Sequence, residues 1–110
     1  MSETRDVLER HLQAMGRDVD AIMKDYSQDS VLVTPDATYR GLEEIRAFFT
    51  VFLHGLPAEF WENFKLKRQE IVEEVAYILW EAGPLFPLGS DTYFIKRDKI
   101  LYQTYAAFRP

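Results

Sequence analysis

The chain has 110 residues, 47% hydrophobic and 28% charged, which is the balance of a globular chain and predicts a single domain over residues 1–110. Thirteen Lys and Arg against eighteen Asp and Glu leave a net charge of -5, which argues against nucleic acid as a partner. There is no cysteine, hence no disulfide framework, thiol nucleophile or thiolate metal site, and His11 and His54 alone are too few for a multi-histidine zinc site. No apolar run approaches the ~18 residues of a membrane span, and the opening Met1-Ser2-Glu3-Thr4-Arg5-Asp6 lacks a signal-peptide core. The expected address is the cytoplasm, with no membrane contact.

Helices are expected first. Val7, Leu8, Leu12 and Met15 share one face of a helix that stops at Gly16, and His11 falls inside that apolar stripe. A second, short helix starts near Asp18, whose carboxylate can cap an orphan amide, and carries Val19, Ile22, Met23 and Tyr26 inward. Ser30 to Thr34 is β-branched and ends at Pro35-Asp36, a strand followed by a turn. Gly41 opens a third helix, with Glu43 and Glu44 in its first turn. Its stripe is Ile45, Phe48, Phe49, Phe52 and Leu53, and Gly55 with Pro57 ends it. His54 reads as a C-terminal helix residue facing the dipole.

Strands follow. Phe60 to Ile71 alternates imperfectly, with Phe64 and Leu66 opposite Lys65 and Lys67; a turn at Glu73-Glu74 leads into a strand ending at Ala82. Gly83 to Gly89 is too rich in Gly and Pro for a regular strand. Asp91–Ile95 and Lys99–Phe108 form a last hairpin, turning at Lys96-Arg97-Asp98. In Val75 to Trp80 both alternating sets are apolar. In the last strand Leu101, Tyr105 and Ala107 lie on one side and Ile100, Tyr102, Ala106 and Phe108 on the other. A sheet with one wet face alternates cleanly. Both faces are therefore expected to be covered, one by helices and the other by a second copy of the chain, making a homodimer through the sheet face.

This order of elements, with Asp18-Val19-Asp20-Ala21-Ile22 leading to Tyr26-Ser27-Gln28-Asp29-Ser30-Val31, then Pro35, Gly41 and the closing hairpin, resembles the nuclear-transport-factor-2-like superfamily. The likeness is to its branch of SnoaL-like polyketide cyclases and ketosteroid isomerases. It implies an α+β cone: about three N-terminal helices packed on a strongly curved, mostly antiparallel sheet, with a pocket between them. In the isomerases a helix tyrosine and a sheet aspartic acid donate to the oxyanion; their places fall to His11 and Asp91 here. The isomerase general base falls at Thr34, ahead of Pro35, and the cyclase acid/base aspartate at Tyr105. Neither residue can take that role, since a threonine or tyrosine hydroxyl does not shuttle protons near neutral pH.

His11 is either a core histidine satisfied by backbone or a tyrosine, or a pocket-facing base oriented by a carboxylate, a role that suits imidazole. Asp91 is either an exposed strand-start residue or a pocket acid whose pKa burial would raise. Tyr105 is either packing or a donor to a carbonyl. Two functions follow. The first is a small-molecule pocket protein carrying out isomerisation, cyclisation or dehydration of an apolar carbonyl compound, aromatic or polycyclic, without metal or organic cofactor. His11, Asp91 and Tyr105 would be catalytic, and Tyr26, Thr34, Phe49, Phe52, Trp61, Trp80, Tyr93 and Gln103 would contact the ligand. The second is a non-catalytic dimeric module that binds a ligand or a protein.

Overall fold

The computed structural model describes residues 2–110. Helix α1 (Glu3–Met15) starts where the Ser2 hydroxyl accepts from the Arg5 amide and stops at Gly16. It buries Val7, Leu8, His11 and Ala14. Helix α2 (Val19–Met23) is capped by Asp18, whose Oδ1 accepts from the Ala21 amide at 2.8 Å. Strand β1 (Val31–Val33) turns back into a three-residue strand, β2 (Thr38–Arg40), which the sequence pattern did not reveal. Helix α3 (Gly41–His54) buries Ile45 and Phe49 and ends at Gly55.

Residues 60–63, expected to begin a strand, form a one-turn helix, α4 (Phe60–Asn63), so there are four helices among the described residues rather than about three. Phe60 is pulled under the sheet between Trp80 and Phe86, and that burial decides the local conformation. Strand β3 (Phe64–Val72) follows, then β4 (Val75–Ala82), β5 (Leu88–Lys96) and β6 (Lys99–Phe108). β5 starts earlier than the Gly-Pro segment suggested, because Leu88 and Gly89 already pair with Phe108 and Ala107. The β5–β6 turn is the two residues Arg97 and Asp98, both at positive φ, the geometry of tight hairpins.

The six strands run in the order β2-β1-β6-β5-β4-β3. Only β1 with β6 is parallel. Two bulges interrupt the registers, at Lys67 on β3 and at Leu101 on β6. Bulges bend a strand and flip its downstream parity. The second corrects the face of Ile100: it is fully buried on the inner side, with Gln103, not on the outer side with Tyr102. The result is an open α+β roll with its helices against one face of the sheet. No helix among the described residues is long and apolar enough to cross a membrane.

Short polar ties hold the helical layer on the sheet. The Thr4 hydroxyl donates to the Glu73 carbonyl at 2.7 Å, fastening the start of α1 to the β3–β4 turn. The Ile100 amide donates to the Asp25 carbonyl, and the buried Ser30 hydroxyl to the Ile100 carbonyl at 2.6 Å. The segment carrying Asp25 and Tyr26 is thus anchored on β6.

Candidate functional site

A cavity of about 170 Å³ lies between the helices and the inner face of the sheet. The apolar stripes of α1 and α3 supply one side, through His11, Leu12, Phe49 and Phe52. Inward-facing sheet residues supply the other. Register sets them side by side: Ile78 pairs with Asp91, Asp91 with Tyr105, and Tyr93 with Gln103. Trp61 and Phe64 border the cavity near α4.

His11 is completely buried. Its ring is walled by Tyr26, Phe49 and Tyr93, all edge-on, with centroids 5.5–6.3 Å away. Its Nδ1 lies 3.2 Å from Oδ2 of Asp25, while Nε2 faces the Tyr26 hydroxyl at 3.5 Å. The other oxygen of Asp25 accepts from Arg10 Nε at 2.7 Å, and Arg10 continues to the Asp98 carboxylate at the surface. Burial opposes charge on Asp25, but the hydrogen bonds and charges of His11 and Arg10 outweigh it and hold the carboxyl below its usual range. An ionised Asp25 accepts a hydrogen bond from Nδ1, which fixes the orientation of the ring. The Tyr26 proton is committed elsewhere, to Oε1 of Gln103.

Gln103 joins this pair to a second carboxylate. Its Nε2 donates to Asp91 Oδ2 at 2.9 Å, and the Trp80 indole N–H donates to Asp91 Oδ1 at 2.9 Å. Here burial dominates: it pushes the Asp91 pKa up to about 6, against the two N–H bonds and the nearby His11 charge that pull it down. Asp91 is thus ionised at neutral pH and takes a proton in mildly acidic solution. Burial raises Tyr26 and Tyr93 well above the usual phenol range, and Tyr105 to about 12, so all three stay protonated. The Tyr105 hydroxyl is engaged by none of the bonds in this network.

Of the residues expected at the site, His11, Asp91, Tyr105, Phe49, Phe52, Trp61, Trp80, Tyr93 and Gln103 come together around the cavity. Tyr26 does not line the cavity; its hydroxyl lies 3.5 Å from Nε2 of His11. Thr34 is a correction: its hydroxyl bonds the Ala37 carbonyl and accepts from the Asp36 and Ala37 amides, closing the β1–β2 turn away from the cavity. Asp91, which could either orient the imidazole or serve as a second donor, is not its partner; Asp25 is. Two contributors went unread in the sequence. Asp25 follows Ile22 by three residues, on the helical face that turns inward, and that spacing was the available signal. Gly89 sits opposite Trp80, and a Cβ there would collide with the indole ring, so only glycine lets that ring lie flat enough to reach Asp91. Among the described residues no three His, Asp or Glu side chains gather as a metal site.

No protein-family model and no curated protein matches the chain. Solved structures do. A nuclear-transport-factor-2-like protein of unknown function from Burkholderia xenovorans superposes with a TM-score of 0.75 at 20% identity, over 98% of this chain and 84% of that one. A putative SnoaL-like polyketide cyclase from Shewanella denitrificans gives 0.76 at 14% identity, over 96% and 90% of the two chains. A SnoaL-like protein of unknown function from Burkholderia thailandensis gives 0.78 at 15% identity, over 96% and 95%. The chain has the nuclear-transport-factor-2-like fold in the form shared by SnoaL-like proteins. At these identities the likeness is one of fold, and the activity must be argued from the site.

Proposed function

We propose that the protein is a small-molecule pocket protein in which His11 acts as a general base on a compact, single-ring carbonyl compound. The observation that supports this is the Asp25-oriented imidazole at the wall of a largely aromatic cavity. In the proposed step Nε2 of His11 takes a proton from the carbon next to a carbonyl. The C–H electron pair moves into the new C=C bond, and the Tyr105 hydroxyl donates to the resulting enolate oxygen. Asp25 and Asp91 balance the imidazolium that forms. Return of the proton to another carbon gives isomerisation, loss of a β-hydroxyl gives dehydration, and attack on a second carbonyl gives cyclisation. The scheme needs no metal or organic cofactor. Volume favours one ring over a polycycle, since a cavity of roughly 150 Å³ holds benzene.

Deuterium incorporation from D2O into cyclohexanone, followed by NMR, tests this reading. The expected result is acceleration by the wild type that falls about a hundredfold in His11→Ala. Equal rates for wild type and His11→Ala would defeat the catalytic reading.

The second reading, a binding module without catalysis, is favoured by the outer sheet face, where Leu88, Tyr102 and Phe108 are each at least half exposed. Phe94 and Tyr102 pack their rings together there, 5.9 Å between centroids. A second copy seated on this face belongs to both readings, and so does a cytoplasmic address. Sedimentation should give a dimer for the wild type and a monomer for Tyr102→Glu. A dimer whose His11→Ala variant changes only in stability would select the second reading.

A further inference from the structure

Next to the inner cavity, on the surface, lies a groove of about 620 Å³ between α3, the β1–β2 turn and the end of β6. The two spaces share three residues and no others: Phe48, Phe52 and Tyr105. Phe48 and Phe52 are one helical turn apart on α3 and stack with their planes 17° apart and centroids 5.6 Å apart. Both meet Tyr105 of β6 edge-on, at 6.1 and 5.5 Å. The three rings stand between a cavity lined by His11 and a groove lined by Asp36 and Arg109. Phe52 is only half-buried and lies in the last turn of α3, so its ring fills this wall more than it supports the core.

We propose that Phe52 and Tyr105 are the specificity-determining residues of the pocket, forming a partition that limits the ligand to one ring plus whatever arm is thin enough to pass between their edges. This rests on the reading of the inner cavity as the ligand site. A second fused or linked ring has no place in the chamber, while the groove outside has room for one and is closed off only by side chains. Removing either ring joins the two spaces into one elongated site with His11 at its inner end.

The test uses phenol and 4-phenylphenol as probes, titrated by NMR against wild type, Phe52→Ala and Tyr105→Ala. The second variant keeps the test open should the first fail to fold. The wild type should bind phenol and take 4-phenylphenol at least about tenfold more weakly, and either variant should reverse that order. An unchanged preference in both variants, or equal binding of the two probes by the wild type, overturns the partition and leaves the cavity reading standing. Phenol binding to none of the three proteins overturns the cavity reading, and the partition with it.

Discussion

Asp25 and Asp91 are both carboxylates buried in the same protein, joined by a chain of polar contacts through His11, Tyr26 and Gln103, yet they are tuned in opposite directions. Asp25 faces two cation-forming groups, Arg10 and His11, and its pKa is lowered. Asp91 faces two neutral N–H donors, from Trp80 and Gln103, and its pKa is pushed up to about 6. Burial works against charge at both sites; what differs is whether a partner brings a full charge or a dipole. Neutral hydrogen bonds hold Asp91 in place without fully offsetting its desolvation, whereas at Asp25 the charged partners do. A fold that separates its acids in this way has one fixed counter-charge and one group able to change state in mildly acidic solution.

The strongest way to break this contrast is at its charged end. Asp25→Asn removes the charge and leaves one carbonyl oxygen for two donors, Arg10 and His11, and should lower stability by about 3 kcal/mol in urea unfolding. It should also suppress any exchange activity, because Nδ1 is no longer held by a carboxylate. Gly89→Ala attacks the neutral end from behind. The added methyl displaces the Trp80 indole, costing about 2 kcal/mol as an overpacked core does. It also weakens one of the two bonds to Asp91, so the Asp91 titration read by NMR should move upward from about 6.

A further effect is one of pH. Between about pH 4 and pH 6 the native state holds a proton on Asp91 that the unfolded chain has already released, so stability should fall as pH rises through that window. Asp25 acts in the opposite sense: its contribution is present above its unfolded pKa and is lost as pH falls through its lower native value. Thermal unfolding of Asp91→Asn should lose the first slope and keep the acid-side loss. A variant that retains the slope between pH 4 and pH 6 would assign it to another group.

Much of this was legible in the chain itself. Stripes at helical spacing, the Asp18 cap, and the stops at Gly16 and Gly55 placed three helices. Alternation and the Glu73-Glu74 turn placed the last strands. A histidine inside an apolar stripe could belong to the core or to the pocket; it is fully buried and borders the cavity. The α4 turn escaped because one turn has too few residues to show a period, and β2 because three residues cannot show alternation. Thr34 was assigned to the site from a resemblance alone, and its local hydrogen bonds keep it in a turn.

Periodicity and capping are local, so the sequence by itself determined which faces of its helices turn inward, and hence that His11 would lie in an apolar stripe; the faces of Asp91 and Gln103 on the sheet it left open. Which carboxylate holds the imidazole was decided by tertiary structure. That choice depends on the Ile100 amide gripping the Asp25 carbonyl and on the bulge at Leu101 that shifts the face of β6, contacts made across about seventy-five residues of chain. The placement of Trp80 was settled in the same way, by a glycine on the neighbouring strand. Charge, volume and hydrogen-bond direction at the site depend on which groups meet in space, and spacing along the chain does not contain that information.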